Sequence, residues 1–221
     1  MFNLQRAGGI AALLEAAAYV VGFVVMATLL SPGDTEGWTS AQKLSFVLER
    51  QSIVQALTIL IYVVFGIALV FLAVALHERL NVRSLDLMKI ATPFGLIWAG
   101  LVISSGMVGS VGLEAVAALH SQDAAQAASV WSAIGAVQDG LGGGVEIVGG
   151  VWVLLISAAS LRSSVLPSAL SYLGFIVGAA GILTVVPSLG ELGAIFGLGQ
   201  ILWFAWLGII MLRARPQLTS A

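Results

Sequence analysis

From Ser52 to Leu76 the chain runs for 25 residues without a charged side chain. A helix rises ~1.5 Å per residue, so about 20 apolar residues cross the hydrocarbon of a bilayer. Five more runs obey the same rule: 7–30, interrupted by Glu15; 90–113, with Pro93 near its start; 141–161, with Glu146 inside; 168–186, between Pro167 and Pro187; and 192–212, with Gln200 inside. Long unbroken runs are not the short alternating segments of a β-barrel. The expected fold is all-α: a polytopic membrane protein, a single transmembrane domain over 1–221 built as a six-transmembrane-helix bundle. Composition agrees. Charged residues make up 9% of the chain, against about 25% in soluble domains. That deficit disfavours a soluble enzyme, a nucleic-acid binder and a disordered chain. The first run is too long for the 7–15-residue core of a cleaved signal peptide, so it reads as a retained helix.

Orientation follows from the basic residues. Arg6, Arg79, Arg83, Lys89, Arg162, Arg213 and Arg215 fall on one side of the six spans, and Lys43 and Arg50 on the other. Both termini are therefore expected in the cytoplasm. The longest connections lie on the opposite, outer side. In the first, Thr39 or Ser40 is a natural helix start, and Leu44, Phe46, Val47 and Leu48 form a short amphipathic stretch expected at the membrane interface. In the second, 121–140, the third and fourth helices are expected to extend past the lipid as a helical hairpin.

The 26 glycines favour close helix–helix approach. The absence of Cys excludes disulfides, thiolate metal sites and cysteine nucleophiles. His77 and His120 fall on opposite membrane faces, which excludes a shared haem iron. His120 with Glu114 and Asp123 reads either as a weak outer cation site or as a solvated polar hairpin. The sequence calls for no cofactor and no resident metal.

Several short motifs carry a resemblance: Arg6-Ala-Gly-Gly-Ile-Ala-Ala-Leu-Leu-Glu15, Ala75-Leu-His-Glu-Arg-Leu80, Leu166-Pro-Ser-Ala-Leu170 leading to Leu173-Gly174 and Gly178, and Gly190-Glu191-Leu192. From about 5 to 213 the chain resembles a bacterial family of six-helix integral membrane proteins known as a domain of unknown function. The resemblance implies a bacterial inner-membrane protein and brings no catalytic residues with it.

Ionisable residues inside a span are costly, ~2.5–3.5 kcal/mol at the helix centre, so they are where function is sought first. Two qualify, Glu15 and Glu146. Glu15 shares a helical face with Gly8, Ala11, Tyr19, Gly22 and Met26, and Tyr19 is placed to bond its carboxyl. It reads either as a neutral, satisfied group that orients the first helix or as a proton- or cation-handling site. Glu146 sits in Asp139-Gly-Leu-Gly-Gly-Gly-Val-Glu-Ile-Val-Gly-Gly150. Those glycines permit tight packing, or a helix break that exposes backbone beside a buried acid. The opposite face, Val148, Trp152 and Leu155, looks suited to lipid. Helical rise separates Glu15 and Glu146 by ~10 Å in depth, too far for a carboxylate pair. The same ruler brings Tyr19, Ser104, Ser105, Glu146, Thr184 and Gln200 to one level. A polar layer around Glu146, with Gln200 beside it, is therefore expected in the outer half of the bundle.

The function expected first is binding or transport of a small molecule or ion, with Glu146, Glu15, Tyr19, Ser105, Thr184 and Gln200 as its contacts. The alternative is a non-catalytic accessory or scaffold subunit, packing on a membrane-protein partner or on copies of itself through glycine faces. An intramembrane enzyme ranks third, because no Ser–His or His–Asp spacing places a nucleophile near an acid. The lipid bilayer is the one partner common to all three, and nucleic acid is a partner in none.

Overall fold

The computed structural model describes residues 3–143 and 146–213, so Gly144, Val145 and Arg215 lie outside the described residues. Among these residues the chain is helical and contains no strand. The elements are α1 (Leu4–Thr28), α2 (Ser40–Glu49), α3 (Gln51–Thr58), a π-helical turn (Ile59–Val64), α4 (Phe65–His120), α5 (Ala124–Gln138), a second π turn (Asp139–Gly143), α6 (Ile147–Ser163), α7 (Ser168–Leu183), a 3₁₀ turn (Pro187–Leu189) and α8 (Leu192–Arg213). Four stretches are long and apolar enough to cross a membrane: Leu4–Thr28, Gln51–His120, Ala124–Ser163, which includes two residues outside the described ones, and Leu192–Arg213. Ser168–Leu183 is apolar but shorter. Outward-facing side chains are large and apolar, for example Val111, Ile176 and Leu202. A helical body with an apolar exterior is that of an integral membrane protein.

Each stretch folds back on the one before it. Helix α4 bends at Ser84, whose backbone leaves the helical region (φ −145°, ψ 43°). The Ser84 hydroxyl donates to the Ala159 carbonyl at 3.0 Å and Arg83 donates to that of Ser163 at 3.2 Å, which ties the bend to the end of α6. The arms 65–83 and 85–120 then meet through Gly66 against Ile103, Gly95 against Ala73, and His77 Nδ1 against Thr92 Oγ1 at 2.7 Å. The midpoint of every pair falls at or beside Ser84, as an antiparallel hairpin requires. The same logic closes the hairpin expected at 121–140. Gly112 meets Ile134 and Gly109 meets Gln138, about a turn at Ser121 and Gln122. Helix α5 starts on Asp123, whose side chain accepts from Gln126 N–H at 2.9 Å.

Helices α1 and α8 are antiparallel as well. Gln5 Nε2 donates to the Met211 carbonyl at 2.9 Å, so the described chain ends lie at one end of the bundle, the terminal end. At this seam a Cβ on Gly208 would stand 2.9 Å from the Gly9 carbonyl oxygen. Helices α6 and α7 touch as closely: a Cβ on Gly150 would stand 2.6 Å from the Gly178 carbonyl oxygen and 2.7 Å from the Ile182 amide nitrogen. Between helices in lipid, close packing replaces the hydrophobic effect as the driving force.

At the opposite, far end, α2 starts as its sequence indicates. Thr39 and Gln42 form a capping box. Its apolar side packs in part against the rest of the chain. Leu44 is buried in a small second core with Val116, Ala127 and Ala128. Helix α2 is a cap seated on the α4–α5 hairpin, and His120 of that hairpin shares a 3.0 Å hydrogen bond with Ser45.

Trp152 corrects the lipid-facing assignment. It is fully buried, because Gly95 on α4 leaves the hollow its indole fills. Phe65, Trp98, Trp152, Trp203 and Phe204 form a closed ring of contacts with centroids 5.3–5.9 Å apart. Each such pair contributes about 0.5–1.5 kcal/mol beyond its buried area. Glycines supply further sockets: Gly149 for Trp98, Gly174 for Trp203 and Gly181 for Phe196.

Candidate functional site

Above the aromatic ring, toward the far end, lies a half-open cavity of about 260 Å³ bounded by α1, the first π turn, both arms of α4, Gly142, Gly143 and Glu146 ahead of α6, and α8. Two departures from regular helix shape it. The first is the π turn Ile59–Val64, which sets Ile61 and Tyr62 into the cavity wall. Such insertions cluster at functional sites in helical proteins. The second is the break before α6. Gly142 adopts φ +107°, a conformation open to glycine and strained for any L side chain. Glu146 is itself non-helical (φ −94°, ψ 24°) and precedes the first residue of α6. Helix α6 therefore starts at Ile147, six residues later than the apolar run that begins at 141.

The break has its own support. Glu146 N–H donates to Thr184 Oγ1 at 2.8 Å, and that hydroxyl donates to the Gly181 carbonyl at 2.7 Å. The Glu146 carbonyl accepts from Gly150 N–H at 2.8 Å. The backbone of Glu146 is thus held from α7 and α6. Its side chain makes no capping bond and lines the cavity.

The cavity wall is mostly aromatic. Tyr19 stands edge-on to Phe65 at 5.4 Å, and Phe65 and Phe196 both lean on Trp98, at 5.8 and 6.2 Å. Tyr62 lies against the break, where a Cβ on Gly143 would come within 3.1 Å of its hydroxyl. Glycines 22, 193 and 197 leave room on the other sides. Glu146 is the one carboxyl among the lining residues, which include no Lys, Arg or His.

The six residues expected to share one layer are divided. Glu146 and Tyr19 line the cavity. Thr184 is buried and holds the Glu146 backbone rather than facing the cavity. Ser105 is buried at the α4–α5 seam, donating to the Gln138 carbonyl and accepting from Gln138 Nε2 at its own, each at 3.2 Å. Ser104 is exposed and bonds back to Gly100, so it leaves the layer. Glu15 and Gln200 form a lower tier. Each is fully buried and sits one helical turn closer to the terminal end than a lining residue, Tyr19 and Phe196 respectively. Neither side chain has a hydrogen-bond partner among the described residues, so Tyr19 does not bond Glu15.

Tyr62, Phe65 and Phe196 went unnoticed in the sequence because each sits inside an apolar run with no polar neighbour. The usable signal was the pairing of aromatic residues with glycines on neighbouring helices. Among the described residues no group of three or more His, Asp or Glu is placed to hold a metal ion, and Glu114, His120 and Asp123 make no such site. The chain matches no protein-family model, no curated protein and no solved structure.

Proposed function

We propose a multi-pass protein of a bacterial inner membrane, crossing six times with both termini in the cytoplasm, that binds a small molecule or ion beside Glu146 and passes it through the bundle. The carrying observation is a carboxyl at a broken helix, its backbone held from two helices and its side chain free in a half-open cavity. A purely structural acid has no need of the cavity, and a break designed only for packing has no need of an acid. Six crossings are favoured by the bend at Ser84, which divides Gln51–His120 into two antiparallel arms, and by the apolar α7 between α6 and α8. An even number fits chain ends that meet at Gln5 and Met211. The scaffold alternative needs glycine faces turned outward. The glycines at 8, 9, 95, 149, 150, 174, 178 and 208 are instead filled by neighbours within the chain.

The absence of native Cys makes the test direct. Gly193 lines the cavity, and a Cβ there meets nothing nearer than Thr184 Cγ2 at 3.9 Å. In reconstituted vesicles, Gly193→Cys should react with a small water-soluble thiol reagent, whereas Ile195→Cys, on the apolar exterior, should not. Equal inertness of the two would mean that water does not reach the cavity, and the proposal would fail.

A further inference from the structure

We propose that the ligand of this cavity is a small organic ammonium cation, held by the Glu146 carboxylate among the aromatic side chains of Tyr19, Tyr62, Phe65, Trp98 and Phe196. This rests on the cavity being a ligand site and adds the chemical class.

Three alternatives fit less well. An anion would face Glu146 with no cationic side chain in the wall to receive it. A metal ion such as Ca²⁺ takes six to eight oxygens. The side chains here offer one carboxyl and two phenols, and no metal-binding group of acids and histidines exists among the described residues. A neutral apolar molecule would fill the space but leave the carboxyl unpaired in an apolar enclosure, which is unfavourable. An alkylated ammonium matches both halves of the site. Its charge is weakly hydrated and spread over methyl groups, so it is attracted to aromatic rings. The carboxyl supplies the counter-charge. Size agrees: about 260 Å³ is just under the ~300–1,000 Å³ of sites for drug-sized ligands, which favours a choline-sized cation over a larger drug.

The rings are held at these positions by the packing beneath them. Phe65 and Trp98 are members of the closed aromatic ring, and Tyr19 rests on Phe65 and Phe204. The π turn brings Tyr62 into the wall. A cage assembled from four separate segments and completed by an acid is difficult to explain as packing alone.

Such a cation has two sources, a free solute or the headgroup of a choline lipid. The experiment uses the full-length protein in nanodiscs of phosphatidylglycerol, and measures its intrinsic tryptophan fluorescence during titration with choline, its neutral isostere 3,3-dimethyl-1-butanol, and K⁺. Choline should bind saturably and perturb the emission, and the other two should bind roughly tenfold or more weakly. Glu146→Gln should weaken choline about tenfold or more, and Tyr62→Leu should weaken it while Tyr62→Phe retains it. The wild-type comparison stands even if a variant misfolds. Repeating the titration with phosphatidylcholine in the nanodisc separates the sources: a lower apparent choline affinity identifies the headgroup, and an unchanged one identifies the free cation. Equal binding of choline and its neutral isostere would overturn the ammonium assignment while leaving a ligand site in place. No saturable binding of choline, together with a reactive Gly193→Cys, would overturn it in the same way. An inert Gly193→Cys would overturn the site itself.

Discussion

Glu146 reaches the cavity because its backbone is held elsewhere. Thr184, the C-cap of α7, accepts one of the four N–H groups that a helix start leaves without an intrahelical partner. Thr184→Val should therefore loosen the break and lower the reactivity difference between Gly193→Cys and Ile195→Cys, with a stability loss of about 1–2 kcal/mol in a denaturant titration. Gln200 has the opposite character. Its side chain is fully buried with neither polar atom paired among the described residues. An unpaired buried amide destabilises by about 1–3 kcal/mol, so Gln200→Met, of similar volume, should raise the melting temperature in detergent. A fall in that temperature would show that Gln200 has a partner in the membrane. Glu15, one tier below the cavity with Gln200, was legible as a buried acid from its helical face alone. The failure of Tyr19 to bond it was not, because a four-residue spacing fixes the side and height of two residues on one helix but not where their side chains turn.

At the scale of elements, glycine has two uses. At 9, 150, 178 and 208 it lets backbones touch. At 95, 149, 174 and 181 it forms a socket for an aromatic ring from another helix. Gly150→Val would drive carbon into the α7 backbone, so the peak of the folded protein should be lost or strongly reduced on size exclusion. Gly193→Ala, which points into open space, should behave as the wild type. Gly142 has neither use: nothing lies within 4 Å of a Cβ there, but φ is +107°. Gly142→Ala should destabilise by about 1–3 kcal/mol through backbone strain, and disturb choline binding more than it disturbs the fold.

For the whole molecule, the antiparallel hairpins about Ser84 and Gln122, the α6–α7 pair and the α1–α8 seam leave two distinct ends. The terminal end gathers the described chain ends and the Ser84 bend; the far end carries the α2 cap, and the cavity lies on the far side of the aromatic ring. Val82 at the bend and Glu36 before α2 are both exposed. In intact cells an impermeant thiol reagent should label Glu36→Cys and not Val82→Cys. Labelling of Val82→Cys alone would reverse the orientation and place the cavity on the cytoplasmic side.

The sequence by itself determined the solvent and the helical class of the fold. Twenty-residue stretches without charge have few other folds in lipid, because a backbone without water must bond to itself, and basic residues mark the ends of such stretches for simple electrostatic reasons. It also confined ionisable chemistry to Glu15 and Glu146, since any other charge in the spans would have been visible. What only the tertiary structure decided was the partner of each face. Trp152 is as apolar facing lipid as facing Trp98 and Trp203, so hydrophobicity could not separate the two; shape, through Gly95, did. The cavity has the same origin. It is the space left where a π turn, a glycine break and a ring of aromatics meet, and each of these comes from a different part of the chain. No local pattern records such a space, because it exists only once the helices are packed.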